Sequence, residues 1–226
     1  MEKHVLVVFP HPDDEAFSTA GLMIQHTNQG IPVTYACATL GEMGRNMGNP
    51  FFATRETLPE IRKKELRDAC AVMGIRDLRM LGFRDKTLEF ENQELLIKTI
   101  GEVIDETNPS LVITHYPGYG IHPDHDACGA ATVQAVRLIP EEKRPKLYCL
   151  PITRDREEVL GEPDVRIDVS DVIDRKIEAL KAHRSQTEGM VRKIESEVGN
   201  PNSEILNWLS QEVFWIYNFN SEDNEG

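Results

Sequence analysis

The sequence has 226 residues, a length that suits one α/β domain whose core is large enough to need no disulfide or structural metal. Its 25 Lys and Arg against 38 Asp and Glu leave a net charge of −13, which repels nucleic-acid phosphates and anionic lipids and so argues against both partners. Four scattered cysteines without a C-x-x-C, and no stretch typical of a signal peptide, predict a soluble, reduced, cytoplasmic protein.

Strand-like and helix-like segments alternate along the chain. The apolar run at 5–9 predicts a first strand, and a helix is expected from Asp14 to about Gln29, because Gly30 and Pro32 stop it. Further strands are expected at 33–38, 78–82, 111–115, 146–152 and 165–169, with a buried strand or packing edge at 214–217. Further helices are expected at 55–73, 96–107, 124–138 and 171–184, and a glycine-rich loop at 41–50.

This alternation predicts βαβ units and therefore an α/β fold with a doubly wound, mostly parallel, Rossmann-like sheet covered by helices on both faces. In the common strand order 3-2-1-4-5, strands 1 and 4 are neighbours where the winding reverses, and ligands bind beyond the carboxyl ends of the strands there. We expect a single domain over residues 1–219, followed by a disordered acidic tail over residues 220–226.

A nearly identical tetrapeptide follows both of these strands. H-P-D-D at residues 11–14 comes just after the run at 5–9, and H-P-D-H at residues 122–125 comes soon after the run at 111–115. The predicted strand order brings both loops into one crevice. Histidine and aspartate are side chains that bind borderline divalent metals and transfer protons beside them. The pair of loops therefore predicts a metal-dependent active site.

The first set of roles concerns the metal and the base. A catalytic zinc site usually has three protein ligands and leaves one position open, and His11, Asp14 and His125 would provide that set. Asp13, adjacent to a ligand, would accept the proton of an attacking water as general base. Ferrous iron would accept the same two histidines and carboxylate, so these residues leave the metal open between zinc and iron.

The second copy leaves His122 and Asp124 for other roles. His122 would polarise a substrate carbonyl or donate a proton to the leaving amine, and Asp124 would hold the tautomer and charge of His122. Such an assembly suits hydrolysis of an amide or an ester. The chemistry alone therefore leaves open an esterase or a deacylase of another small substrate.

Each of these residues also has an ordinary structural interpretation. Asp13, Asp14 and Asp124 are favoured residues at helix N-termini, and single histidines are commonly hydrogen-bonded without any metal. The competing class is a non-catalytic α/β ligand-binding module with a structural metal or none. Against that class, the sequence has neither G-x-G-x-x-G after strand 1 nor a phosphate-binding P-loop motif.

The same motifs resemble a known family. P-H-P-D-D-E at residues 10–15 resembles the A-H-P-D-D-E signature of the zinc-dependent N-acetylglucosaminyl deacetylases of the PIG-L/LmbE type, with Pro10 in place of the alanine. H-P-D-H at 122–125 resembles the second motif of that family, and residues 181–186 are similar to its late H-x-S-Q segment. Among its subgroups, the chain is most similar to the bacillithiol-biosynthesis deacetylases, which remove acetate from N-acetylglucosaminyl malate.

The resemblance implies zinc on the same three ligands, Asp13 as the base, and a pairing of His122 with Asp124. It also implies a small amino-sugar conjugate as the partner and is compatible with a homo-oligomer, since family members are often multimeric. For the sugar hydroxyls it points to Glu42, Arg62 and Asp85, which could equally be a loop charge, a salt-bridge partner and a turn residue. The resemblance also matches Tyr119 to a mobile tyrosine of the family near the oxyanion, although Ile121, between Gly120 and His122, alters that register.

Overall fold

Strands and helices alternate in the computed structural model, which describes residues 2–219, so the predicted tail at 220–226 lies outside the described residues. The strands are β1 (Val5–Phe9), β2 (Val33–Cys37), β3 (Asp77–Met80), β4 (Leu111–His115), β5 (Lys146–Leu150), β6 (Val165–Asp168) and β7 (Gln211–Ile216). The helices are α1 (Asp14–Ser18), α2 (Ala20–Asn28), α3 (Leu58–Met73), α4 (Gln93–Thr107), α5 (Pro123–Arg137), α6 (Arg156–Leu160), α7 (Ile173–Ala182), α8 (Arg184–Glu197) and α9 (Glu204–Leu209).

Within residues 2–219 the strands form one seven-stranded sheet in the order β3-β2-β1-β4-β5-β7-β6. The pairs among β1 to β5 are parallel, whereas β7 runs antiparallel to both β5 and β6. The predicted order 3-2-1-4-5 is confirmed, and β1 lies directly beside β4, with Val5 opposite Leu111 and Val7 opposite Ile113. The carboxyl ends of these two strands therefore meet at the point where the winding reverses.

All five residues of β1 are buried because helices cover both faces of the sheet. Val5, Val7 and Phe9 belong to one hydrophobic cluster together with α2, α3 and α7. Leu6 and Val8 point to the opposite face and join a second cluster with α4 and α5. The predicted doubly wound α/β fold is confirmed. No helix within the described 2–219 range is long and apolar enough to cross a membrane.

The helix predicted over residues 14–29 is interrupted. It consists of α1 and α2, separated at Thr19, whose φ of −140° is not helical. The second helix can begin there because the carboxylate of Glu212, on the distant strand β7, accepts hydrogen bonds from the backbone N–H groups of Gly21 and Leu22, both at 2.8 Å. These N–H groups lie in the first turn of α2 and have no partner within the helix.

The same carboxylate forms a buried ion pair. Nζ of Lys176, on α7, lies 2.6 Å from Oε1 of Glu212, and both side chains are about 1% exposed. The pair thus joins β7, α7 and the start of α2 at one point in the core. A buried charge of this kind is tolerated only with its partner in place, because water cannot replace the lost interaction.

Replacing Lys176 with methionine is expected to lower the free energy of unfolding by about 3–5 kcal/mol, because the Glu212 carboxylate then stays buried without its countercharge. Urea unfolding of the purified protein measures the effect. Lys181→Met is the matched control, since Lys181 forms only partly exposed ion pairs with Glu178 and Glu195, and its effect should stay within about 0.5 kcal/mol. Equal stability of the two variants would contradict a structural role for the buried pair.

Candidate metal centre and active site

Both copies of the histidine motif lie at one edge of the sheet, as predicted. Residues 11–14 connect β1 to α1, and His122 is the N-cap residue of α5, which follows β4. A cavity of about 520 Å³ opens between them. It is lined by residues of both motifs and of neighbouring loops: His11, Asp13, Asp14, Met43, Gly44, Arg45, Arg62, Asp85, Lys86, His122, His125 and Gln186.

The three predicted metal ligands point at a common centre. Nδ1 of His11 lies 3.3 Å from Nε2 of His125 and 3.4 Å from Oδ2 of Asp14, and the same His125 nitrogen lies 3.3 Å from Oδ1 of Asp14. Tetrahedral ligands with bonds of about 2.0–2.1 Å, as zinc forms with nitrogen and oxygen, are roughly 3.3–3.4 Å apart. The donor set therefore fits a zinc ion in both chemistry and spacing.

The electrostatics of this cluster also favour a cation. Burial works against the charged form of His11, but hydrogen bonds to Asp124, Asp14 and Asp85 outweigh it and raise the His11 pKa well above its ordinary value. Burial likewise works against the charged form of Asp14, and the nearby His125 and His11 hold its pKa well below the usual range. The carboxylates around His11 and His125 thus favour positive charge at this point, and the same environment would attract a divalent ion.

The ring nitrogens that face away from the common centre are held by oxygen atoms. Nε2 of His11 lies 3.1 Å from Oδ2 of Asp124 and 3.2 Å from Oδ1 of Asp85, and Nδ1 of His125 lies 2.8 Å from the backbone oxygen of Gly120. Such contacts are typical of metal-binding histidines, because they fix the tautomer and the ring orientation. They further support the assignment of His11 and His125 as ligands.

Close packing of α5 against β4 brings His125 into place. The ring of His125 stacks on that of His115, at the end of β4, with 4.1 Å between the centroids. Gly129 permits this approach, since a Cβ atom there would lie 2.4 Å from the backbone oxygen of His115. His115 is itself 2% exposed, and its ring packs against the ring of His125 and holds that candidate ligand in position.

The carboxylate of Asp124 makes its hydrogen bonds to groups other than His122, its expected partner. Asp124 is fully buried, and its carboxylate accepts hydrogen bonds from the backbone N–H groups of Lys86 at 2.7 Å and Leu88 at 3.2 Å in addition to its contact with His11. No hydrogen bond or ion pair within residues 2–219 joins it to the His122 ring. Asp124 therefore contacts a candidate metal ligand directly, whereas its charge favours the protonated form of His122 without a hydrogen bond, and their functional pairing stays a prediction.

His122 is held in a different way. As the N-cap residue of α5, its Nδ1 accepts the backbone N–H of Asp124 at 3.1 Å. A neutral ring in this arrangement carries its proton on Nε2. Burial and the neighbouring His11 lower the pKa of His122, so the neutral form predominates near pH 7. The side chain can thus offer a neutral N–H donor to a ligand in the cavity.

Asp13 occupies a constrained position beside the ligands. Its φ of 105° lies in the left-handed region, and its backbone N–H donates to Oε2 of Glu15 at 3.0 Å. One carboxylate oxygen lies 3.1 Å from a guanidinium nitrogen of Arg62. Burial raises the pKa of Asp13 to about 6, despite the attraction of Arg62 for its charged form. A carboxyl group with such a pKa can accept and return a proton near neutral pH.

His183 is a part of the site that reasoning from the sequence missed. Its Nε2 lies 2.5 Å from Oε1 of Glu15, and both side chains are fully buried behind Asp13. Ser185 donates its N–H and O–H to the carboxylate of Glu65, each at 2.7 Å. The signal in the sequence was the H-x-S-Q-like segment at 181–186, which had no other feature to connect it to the first motif.

Two of the four predicted substrate-binding residues, Arg62 and Asp85, line the cavity. Arg62 is buried, and its guanidinium also donates to the backbone oxygens of Gly41, at 2.7 Å, and Pro12. Gly41 has a φ of +60°, and a Cβ there would lie 1.8 Å from the Arg62 guanidinium, so a larger residue would displace it. Asp85 accepts the backbone N–H of Met43 at 2.7 Å in addition to its contact with His11.

The structure places the other two predicted residues outside the cavity wall. The Oε1 atom of Glu42 accepts the backbone N–H of Asp85 at 3.0 Å, so this carboxylate supports the loop that carries Asp85. The ring of Tyr119 packs edge-on against Tyr116, with 5.4 Å between the centroids. Ile121, with a φ of 63°, lies between Tyr119 and His122, and Tyr119 does not line the cavity in this conformation, so its contact with a substrate stays a prediction.

The fold and the donor set together define a class, an α/β enzyme with two histidines and one carboxylate converging at the switch point of its sheet. Residues 6–136 match the protein-family model described as PIG-L, GlcNAc-PI de-N-acetylase, and this segment includes both copies of the motif. Since the match covers more than half of the chain, the protein belongs to the PIG-L family of de-N-acetylases. The resemblance and the predicted N-deacetylase activity are confirmed.

One relative aligns with nearly the whole chain and over its own full length. The chain is 56% identical over 220 residues to the "Probable N-acetyl-alpha-D-glucosaminyl L-malate deacetylase 2" of Bacillus subtilis (strain 168), and the alignment covers 97% of this chain and 100% of the relative. The similarity to this relative therefore extends over nearly the whole chain.

Two solved structures share the fold. The N,N'-diacetylchitobiose deacetylase from Pyrococcus horikoshii has a TM-score of 0.71 at 23% identity and covers 96% of this chain and 84% of its own. The 4-carboxy-2-hydroxymuconate hydratase GalB from Pseudomonas putida KT2440 has a TM-score of 0.73 at 18% identity and covers 96% of both chains. Since a hydratase and a deacetylase have the same architecture, these two structures support the fold alone.

Proposed function

We propose that the protein is a zinc-dependent hydrolase that removes acetate from N-acetylglucosaminyl malate, as in bacillithiol biosynthesis. The observation that carries the hydrolytic chemistry is the convergence of His11, Asp14 and His125 at 3.3–3.4 Å beside Asp13 and His122 in one cavity. The malate conjugate is supported by the relative of that name, which aligns with nearly the whole chain. The N-acetylglucosamine part is supported by the family.

His11, Asp14 and His125 would hold the metal. Zinc bound there supplies Lewis-acid chemistry, which makes water more acidic and polarises an amide carbonyl. Asp124 and Asp85 orient His11 through its second ring nitrogen, so both carboxylates contribute to the site without being ligands. Ferrous iron would accept the same donors, and metal analysis of the purified protein distinguishes the two.

Asp13 acts as the base in the proposed reaction. Its carboxylate accepts a proton from water as the water oxygen bonds to the carbonyl carbon of the acetyl group. It then returns that proton to the amide nitrogen as the C–N bond breaks, which yields the amine and acetic acid. The acid keeps the second proton of the water and loses it to the amine or to solvent, which leaves acetate. A pKa of about 6 suits both transfers. The Arg62 ion pair and the Glu15 hydrogen bond hold the carboxylate and its backbone in position during these steps.

His122 serves as the electrophilic donor. Its Nδ1 is occupied by the N–H of Asp124, which leaves Nε2–H to donate a hydrogen bond to the carbonyl oxygen as negative charge develops there. Of the two roles predicted for this histidine, a lowered pKa supports polarisation of the carbonyl over proton donation to the amine, because the neutral ring is a weak acid.

We place the reaction in the cytoplasm, which is supported by four buried free cysteines. The proposed partner is a small amino-sugar conjugate, and homo-oligomer formation stays a prediction. An ester or another amide is the second candidate substrate class, because the same groups would activate several carbonyls.

A comparison of four acetylated compounds as substrates tests the proposal. Zinc-loaded protein is incubated with N-acetylglucosaminyl malate, the corresponding inositol conjugate, diacetylchitobiose and p-nitrophenyl acetate, and kcat/KM is measured from acetate release. The malate conjugate is expected to have the highest kcat/KM. Preference for diacetylchitobiose or the inositol conjugate would contradict the malate assignment, and release of acetate from the ester but from none of the three amides would contradict an amidase.

A further inference from the structure

The cations near the cavity divide into two groups. In the first group, Arg62 forms an ion pair with Asp13 and donates hydrogen bonds to two backbone oxygens. Arg55 also belongs to this group, since its NH1 group donates to the backbone oxygens of Glu42 at 3.1 Å and Gly44 at 2.9 Å. Both arginines therefore support the loops around the site, and their charges are not available to a ligand without a rearrangement.

Arg45 and Lys86 form the second group. Both residues line the cavity and are exposed to solvent. Within residues 2–219, no side-chain hydrogen bond or ion pair engages either of their cationic groups. This is notable in a chain with a net charge of −13, in which many other basic side chains have an acidic partner. Two free cations thus face one cavity beside the candidate metal centre.

The backbone that carries these two residues is held firmly. Asp85 joins both loops, since its carboxylate accepts the N–H of Met43 at 2.7 Å and its own N–H donates to Glu42 at 3.0 Å. Arg45 lies two residues after Met43, and Lys86 directly follows Asp85. The two cations therefore project from adjacent segments that are hydrogen-bonded to each other.

Further contacts hold each segment from its other side. Asn46, next to Arg45, exchanges two hydrogen bonds of 3.1 Å with Gln186 of α8. Lys86 has a φ of 63°, and its backbone N–H donates to the buried carboxylate of Asp124 at 2.7 Å. Because the main chain is fixed at both positions, binding a ligand costs mainly side-chain ordering.

We propose that Arg45 and Lys86 form a subsite that binds the carboxylates of the aglycone and so selects an acidic amino-sugar conjugate over a neutral one. This inference rests on the proposed deacetylase function and assigns the residues that determine its specificity. A guanidinium pairs with a carboxylate through two parallel hydrogen bonds, and an ammonium adds a point charge for a second carboxylate. Malate has two carboxylates, which matches two free cations.

The test compares an acidic substrate with a neutral one in four proteins: wild type, Arg45→Gln, Lys86→Gln and the double variant. The quantity is the ratio of kcat/KM for N-acetylglucosaminyl malate to kcat/KM for methyl N-acetylglucosaminide. Each single substitution is expected to lower this ratio about tenfold, and the double variant about 100-fold. Arg84→Gln is the matched control, since Arg84 is exposed and lies outside the cavity wall, and it should leave the ratio unchanged.

Direct binding separates the subsite from catalysis. Calorimetry with the deacetylated product, glucosaminyl malate, is expected to show a Kd about 100-fold weaker in the double variant than in wild type. Lys86→Asn repeats the test if Lys86→Gln folds poorly, because asparagine tolerates a positive φ.

The outcomes distinguish the two proposals. An unchanged ratio in the double variant, in an enzyme that deacetylates the malate conjugate, would overturn the subsite and leave the proposed function intact. If wild type hydrolysed neither sugar, the proposed function would fail, and the calorimetric comparison would still decide the subsite. Equal product affinity in wild type and the double variant would overturn it in that case too.

Discussion

Replacing Asp13 with asparagine is expected to lower kcat for acetate release by about 10²–10⁴-fold while one metal ion per chain stays bound. The substitution removes the carboxylate that accepts the proton of water but keeps the size of the side chain. Asparagine also tolerates the positive φ of this position, whereas alanine would add backbone strain. Steady-state kinetics and elemental analysis of the same preparation give the two quantities.

Asp68→Asn is the matched control for this substitution. Asp68 lies on α3, where its exposed carboxylate pairs with Lys64, so kcat should not change. An Asp13→Asn enzyme as fast as wild type would contradict the assignment of the base. Loss of the metal from Asp13→Asn would instead indicate that Asp13 is a metal ligand. It would contradict the assignment of His11 and Asp14 as the ligands and Asp13 as the base.

The second large effect is expected on removal of a metal ligand. His125→Ala should lose the bound metal and reduce kcat/KM by about 10³-fold or more, since a catalytic metal stabilises the transition state by several kcal/mol. Chelation of the wild-type enzyme should have the same effect, and added zinc should restore the activity of wild type but not of the variant. Metal content and kcat/KM are measured before and after zinc addition.

His26→Ala serves as the control for a lost imidazole. His26 lies on α2, and its Nδ1 is 2.8 Å from the backbone oxygen of Leu22, outside the cavity. This variant should retain both metal and activity. A His125→Ala protein with wild-type zinc content would show that the three converging donors are not the metal site.

The parts of the fold that could be predicted are those encoded by local patterns. The runs that became β1 and β4 are continuously apolar, and the sheet buries every residue of both. In the common strand order of such right-handed βαβ folds, strands 1 and 4 are neighbours, so both histidine motifs were expected to meet. The convergence of His11, Asp14 and His125 followed from this topology together with the preference of metals for such side chains.

The parts that could not be predicted depend on contacts between distant residues. The break at Thr19 requires the carboxylate of Glu212, almost 200 positions away, to accept the N–H groups of Gly21 and Leu22. Strand β7 lies between β5 and β6 and runs antiparallel to both, and nothing in its own alternation of side chains specifies these partners.

The hydrogen-bond partners of the Asp124 carboxylate could not be predicted for a related reason. Sequence proximity suggested His122 as its partner, but the first turn of α5 points the backbone of Asp124 at His122 and its carboxylate at His11. The loop carrying Lys86 then completes the environment of that carboxylate. Similarly, the pairing of Glu15 with His183 joins residues 168 positions apart, which no local pattern specifies.

The central claim is that residues 11–14 and 122–125 form one hydrolytic site that cleaves the acetamide bond of N-acetylglucosaminyl malate. The most direct measurement is the reaction of the zinc-loaded protein with this compound in ¹⁸O-labelled water, followed by mass spectrometry. The predicted result is acetate with one ¹⁸O atom, formed in equal amount with unlabelled glucosaminyl malate. Release of malate, or the absence of labelled acetate, would contradict the claim.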